Sequence, residues 1–219
     1  MINKVISNDV YSYYFKSLEH SLRDCESVLD VACGNDSPLR HCKKTFHSTG
    51  FDIFEPYLLE SKEKGIHDDY IVSDVAQINK KIERKSYDAV VALDLIEHLP
   101  KNAGFKLLEN LESIARKKVI IFTPNGFLKQ TPFDNNPWQE HQSGWSVDDF
   151  EKQGYRVEGH GGWKPLRGER SKLRFRPHFF WSRISFISHK LFSSSPKSCF
   201  QLFCVKKFDK ESSGKSSNV

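Results

Sequence analysis

The 219-residue chain contains no apolar run near the roughly eighteen residues that a membrane-spanning helix needs, so no transmembrane segment is expected. Its opening stretch, Met1 to Val10, lacks the apolar core of a secretory signal, and the expected location is cytoplasmic. Cysteine is sparse: there are five, at positions 25, 33, 42, 199 and 204, an odd number without a Cys-x-x-Cys pair. That argues against a disulfide framework or a cysteine zinc site, and the cysteines read as small buried apolar residues in a reducing compartment. Neither charge sign dominates, since 33 Lys and Arg against 28 Asp and Glu leave +5 overall. With 38% hydrophobic residues, the composition is that of one soluble domain with a sizeable core.

What is present begins with Ser27-Val-Leu-Asp-Val-Ala-Cys-Gly-Asn-Asp-Ser-Pro-Leu39. Val28 and Leu29 supply strand residues, Gly34 lets the backbone turn closely past a ligand, and Ser37-Pro38 is a helix cap followed by proline at the first helical position. Asp52 closes a second strand-like stretch, placed to accept hydrogen bonds from a ribose diol. Three further runs, 69–74, 88–94 and 118–124, read as strands that end in polar or special residues. Helical patterns near 38–46, 55–64, 76–83 and 104–116 alternate with them, which predicts a parallel sheet with right-handed crossovers. The carboxyl ends of such strands face one crevice.

In order and spacing these segments resemble the class I S-adenosylmethionine (SAM)-dependent methyltransferases over roughly residues 25 to 160 (methyltransferase type 11, near the ubiquinone-biosynthesis enzymes). Leu29-Asp30-Val-Ala32-Cys33-Gly34 resembles the first SAM motif, Asp52 with Ile53 and Phe54 the ribose-binding acid and its neighbours, and Asp74 with Val75 the adenine-binding region. Leu93-Asp94-Leu-Ile-Glu97-His98-Leu99 resembles the motif after strand 4, and Thr123-Pro-Asn125 the end of strand 5. The resemblance implies a Rossmann-like, doubly wound α/β fold, its seven-stranded sheet mostly parallel with the last strand antiparallel, and SAM as cofactor. Where the family's turn usually carries glycine, this chain has Ala32 and Asp36, the latter adding a negative charge near the ligand.

The domain is expected to span 1–205, with a covering helix over 9–24 that carries Tyr11, Tyr14, Phe15, Leu18 and Leu22 at helical spacing, and a disordered tail over 206–219. Strands are expected at 155–159 and 200–205, and the resemblance implies that the second inserts antiparallel. Between them lies an insert, 162–198, that is strongly basic: from Gly162 to Lys190 eight Lys or Arg face the single acid Glu169, a net +7. In its second half Phe180, Ile184, Ile187 and Leu191 fall on one helical face, suited to the domain itself, a partner or an anionic membrane surface.

Methyl transfer from a sulfonium requires a nucleophile held about 3 Å from the methyl carbon, and a hydroxyl acceptor also needs a base. His98, His141 and Asp94 are the catalytic candidates. Asp94, Glu97, His98 and His141 also resemble the metal ligands of ubiquinone-biosynthesis O-methyltransferases and small-RNA 2′-O-methyltransferases, which carry Glu where this chain has Asp94. A divalent metal there would polarise a hydroxyl. The leading expectation is O-methylation of a small-molecule or carbohydrate acceptor, such as an anionic glycan precursor. Two readings stay open beside it: RNA 2′-O-methylation through the basic aromatic insert, and a non-catalytic binding protein with this fold.

Overall fold

A computed structural model describes residues 8–132 and 135–208. The helix α1 (Asn8–Leu22) leads into β1 (Ser27–Val31), followed by β2 (His47–Asp52), α2 (Glu55–Glu63), β3 (Asp69–Val72), the short α3 (Ile78–Lys81), β4 (Tyr87–Leu93), α4 (Lys101–Ile114) and β5 (Ala115–Pro124). Beyond these come α5 (Val147–Glu151), β6 (Arg156–Trp163), α6 (His178–Phe192) and β7 (Cys199–Lys207). The seven strands form one sheet in the order β3-β2-β1-β4-β5-β7-β6. The first five are parallel, and β7 slots antiparallel between β5 and β6. Strand order reverses between β1 and β4, and that switch point opens a crevice at the carboxyl ends of those strands.

The central strands are continuous apolar runs because helices cover both sheet faces, and the two-residue repeat sorts their side chains. Leu29, Val90, Ala92, Val119 and Ile121 point toward Leu107, Leu108 and Leu111 of α4, whereas Val28, Ala89, Val91, Ile120 and Phe122 point toward Tyr14, Leu18 and Leu22 of α1. Each large aliphatic side chain so enclosed contributes about 2 kcal/mol. Thus α1 is a core helix on one sheet face, with Tyr14 stacked 4.0 Å from Phe122. The side chain of Tyr11 lies outside the described residues. All five cysteines are free and buried, as their spacing implied.

Several boundaries differ from the pattern in the sequence. The helix expected at 38–46 is a single 3-10 turn, Pro38–His41, although Ser37 does cap it by accepting from Leu39 N at 3.2 Å. The chain must return along the length of β1, and nine helical residues rise only about 13 Å, against about 16 Å for a five-residue strand. An extended path covers the distance while still burying Leu39, Cys42 and Phe46 against α1. The helix expected at 76–83 is likewise short, a 3-10 turn at Val75–Gln77 running into α3. β6 continues past Gly159 to Trp163 and takes up the start of the supposed insert. β7 extends to Lys207, two residues into the expected tail, and 209–219 lie outside the described residues.

Candidate functional site

The turn after β1 is left-handed at Ala32 (φ 56°) and Gly34 (φ 61°). Glycine takes this conformation freely, but alanine pays about 1–2 kcal/mol, so Ala32 is a locally strained choice. Asp52 holds the turn: one carboxylate oxygen accepts from Gly34 N at 2.9 Å and the other from Phe54 N at 2.8 Å. Burial raises its pKa against the pull of these amides. Ile53 and Phe54 stay half exposed beside it. Asp36, whose charge could have disfavoured a ligand, is ion-paired with Arg40.

Asp30 plays a different part. It is only 1% exposed and accepts a hydrogen bond from Ser37 Oγ beneath the turn, which makes it a support for the loop. Burial, opposed by the Ser37 hydroxyl, raises its pKa to about 7. His67 Nε2 lies 3.5 Å from the same carboxylate, and burial lowers its pKa to about 4, so it is neutral at physiological pH. The Cys33 thiol is buried too, and a Cβ on Gly50 would come within 2.7 Å of His67 and 3.0 Å of Cys33. Gly50 is therefore the space that lets β2 approach the turn.

Further round the crevice, Asp74 is exposed just beyond β3 and caps the following turn through Ala76 N at 2.8 Å, with Val75 half exposed next to it. Leu93 ends β4, buried at the crevice floor. Asp94 follows in a left-handed conformation (φ 55°), with Asp94 N bonded to Phe122 O at 2.8 Å. Its side chain reaches solvent, and the surrounding protein mass still raises its pKa to about 7.

The next turn brings Glu97, His98 and His141 together, with one potential ligand atom from each lying within 4.8 Å of the others. Asp94 does not join this cluster, although its charge, after burial, helps to push the Glu97 pKa well above the ordinary value. Glu97 is buried and accepts from Thr123 Oγ1 at 2.8 Å. His98 Nδ1 lies 3.1 Å from the Glu140 carbonyl, and His141 Nδ1 lies 2.6 Å from the Leu128 carbonyl. A carbonyl can only accept, so Nδ1 donates in both rings and each Nε2 keeps its lone pair. A carbonyl on Nδ1 fixes the tautomer and ring orientation so that Nε2 is free to ligate, as in metal-binding histidines generally. Burial keeps both rings neutral, lowering His98 to about 4 and lowering His141 as well, against the Leu128 carbonyl and then Glu169 from the segment after β6, which pull His141 back up. One carboxylate and two imidazoles suit a borderline divalent ion such as Mn, Fe or Zn.

Beside this cluster, past the end of β5, lies a cleft of about 470 Å³. Lys164, Arg167, Arg174 and Lys197 contribute its charge, Phe127, Trp163 and Phe200 contribute apolar wall, and no acid lines it. Leu128, the carbonyl partner of His141, lines it as well, which makes the two regions contiguous. Arg167 is held in place by Gly161 O at 3.0 Å, Ser171 O at 2.7 Å and Ser185 Oγ at 3.2 Å. Lys197 pairs with Asp148 at 2.6 Å.

Two structural residues escaped the sequence reading. His67 lies outside every motif, and only the fold carries it to Asp30. Trp145 is fully buried and donates from Nε1 to Ile96 O (3.2 Å) and Ser143 Oγ (2.9 Å), tying the loop after β5 to the turn that carries Glu97 and His98. Its one signal was a tryptophan close after His141.

Residues 29–123 match the protein family described as a methyltransferase domain. Among solved structures, a SAM-dependent methyltransferase from Archaeoglobus fulgidus is 20% identical, with 89% of this chain and 94% of that chain covered and a TM-score of 0.54. Magnesium protoporphyrin IX methyltransferase from Synechocystis PCC 6803, solved with bound S-adenosylhomocysteine, is 15% identical over 92% of this chain and 86% of that one, with a TM-score of 0.54. The methyltransferase domain of a bacterial Hen1 protein is 18% identical over 91% of this chain and 100% of that one, with a TM-score of 0.57. At these identities the likeness establishes the fold. No curated protein matches the sequence.

Proposed function

From the match of residues 29–123 to the methyltransferase-domain family, we propose that the protein is a SAM-dependent methyltransferase that methylates a hydroxyl oxygen of a phosphate-bearing small molecule or glycan precursor. SAM lies in the crevice, its ribose diol on the Asp52 carboxylate and its adenine end near Asp74 and Val75. The observation that carries the reading is the convergence of Glu97 and two neutral imidazoles, each oriented by a backbone carbonyl, within 4.8 Å at the end of β4.

Glu97, His98 and His141 would hold a divalent cation, whose chemistry is to lower the pKa of an acceptor hydroxyl. The acceptor oxygen forms a bond to the sulfonium methyl carbon, the carbon–sulfur bond breaks with its electron pair going to sulfur, and S-adenosylhomocysteine leaves. The hydroxyl proton goes to Asp94, which reaches the crevice and whose pKa of about 7 is matched to general-base work near neutrality. His98, at about 4, is too weak a base for that role and serves better as a ligand. The cationic cleft takes the acceptor's phosphate, with arginine suited to paired hydrogen bonds on its oxygens.

Calorimetric titration with Mn²⁺ tests the cation site. Glu97 must lose its proton to bind, and its pKa is raised, so affinity should increase with pH through that raised value, while the two imidazoles, both lowered by burial, are already neutral there. Glu97→Gln should lose binding by about 100-fold. It should also stabilise the cation-free protein at neutral pH, since a raised folded-state pKa favours folding below the unfolded value and loses that contribution as pH rises. Mn²⁺ affinity equal in Glu97→Gln and the parent would remove the cation from the proposal. With an acceptor in hand, the methylation rate should rise through pH about 7 as Asp94 ionises, and that limb should vanish in Asp94→Asn. An unchanged profile would remove Asp94 as base.

RNA as acceptor is favoured by one observation, the exposure of Trp163, which lines the cationic cleft, and of Phe175, next in sequence to the cleft residue Arg174. Absence of binding to single-stranded RNA at low ionic strength would eliminate it.

A further inference from the structure

Helix α6 is packed with its polar side inward. Its buried positions are Ser185, Ser188 and His189, while Phe179 is 66% exposed, Ile187 55% and Leu191 68%. The cause lies in β6: Gly162 (φ 76°) lets the strand come so close to the helix that a Cβ there would sit 2.4 Å from Ser185 O and 2.9 Å from Ser188 Oγ. Small serines fit this approach and bond across it, Ser188 Oγ accepting from Trp163 N at 2.9 Å and Ser185 Oγ from the Arg167 guanidinium at 3.2 Å. Polar anchoring leaves the stripe of Phe180, Ile184, Ile187 and Leu191 facing away from the sheet. A contiguous apolar surface of this kind, rimmed by charge, marks an interaction site.

The charge around the stripe identifies the occupant. Residues 170–192 hold six Lys or Arg and no acid. Arg183 and Lys190 flank the stripe on the helix itself, Lys172, Arg174 and Arg176 are exposed on the approach to it, and no described carboxylate pairs with any of the five. A second copy of this chain would bring the same positive charge to the contact and be repelled. We propose that the outward face of α6 docks on an anionic lipid surface, its aromatic and aliphatic side chains entering the headgroup boundary while the Arg and Lys flank engages lipid phosphates. No helix among the described residues can cross a membrane, so the association is peripheral. Trp163 lines both the apolar hollow beneath the stripe and the cationic cleft, so the docking face borders the proposed acceptor site. The docking itself stands whether or not the acceptor reading holds.

Flotation of the full chain with phosphatidylcholine vesicles, with and without phosphatidylglycerol, tests it. Binding is expected to the phosphatidylglycerol vesicles alone and should fall as salt is raised. The exposed pair Ile187→Asp with Leu191→Asp should abolish it without lowering the melting temperature. Arg183→Gln with Lys190→Gln should weaken it about 25-fold, at about fivefold per charge. No binding at low ionic strength, equal binding to pure phosphatidylcholine, or equal binding by the Asp pair would overturn the proposal. So would a dimer that the Asp pair dissociates in protein that binds no vesicle.

Discussion

Asp52→Ala should lower affinity for S-adenosylhomocysteine by about 100-fold or more, measured by calorimetry. Two hydrogen bonds from a ribose diol to a charged acceptor are worth about 1.5–3 kcal/mol each, which sets the scale. The carboxylate has a second task, because its two oxygens already accept from Gly34 N and Phe54 N across the turn. Alanine releases both amides, so the loop loosens as well, and a stability loss of about 1 kcal/mol should accompany the lost affinity. Asp52→Asn separates the two tasks: it keeps the side-chain length and one acceptor oxygen for one of the two amides, and should recover part of the stability while leaving affinity well below the parent. Unchanged affinity in both variants would mean that the ribose is held elsewhere in the crevice.

Trp145→Ala should be the most destabilising single change considered, at about 3–5 kcal/mol by chemical denaturation, the scale for removing a large buried aromatic. Trp145 is fully enclosed between Phe105, at a ring separation of 5.0 Å, and Phe150, at 5.3 Å. Lys101 Nζ lies 3.7 Å over its ring. The close fit is built on both sides, since a Cβ on Gly104 of α4 would meet the indole at 2.3 Å. The Nε1 donor also holds Ile96 O, one residue before Glu97. Trp145→Phe keeps much of the packing but removes that donor, and should cost about 1–2 kcal/mol while weakening Mn²⁺ binding through the loosened Glu97–His98 turn. A loss below about 1 kcal/mol for the alanine variant would show that the loop after β5 is not anchored through this ring.

The apolar runs of β1, β4 and β5 were legible because a strand covered on both faces must be apolar throughout, and Gly34, Ser37 and Asp52 were legible because turns and caps have strong residue preferences. Less was readable where packing outweighed pattern. Leu39, Cys42 and Phe46 carry helical spacing yet lie on an extended return path, since spacing records burial and not the route of the backbone. Phe180, Ile184, Ile187 and Leu191 carry the same spacing, but the approach of Gly162 to Ser185 and Ser188 turns their stripe outward.

By itself the sequence determined the succession of strands and helices and the crevice at the strands' carboxyl ends, because these follow from local periodicity and turn chemistry. Tertiary structure alone decided which of those residues act together. It buried Asp30 beneath the turn against Ser37, left Asp94 outside the Glu97–His98–His141 cluster, and aimed two imidazoles by giving their Nδ1 atoms the carbonyls of Glu140 and Leu128. Such choices depend on ångström-scale contacts between segments distant along the chain, and neither spacing nor composition encodes those distances.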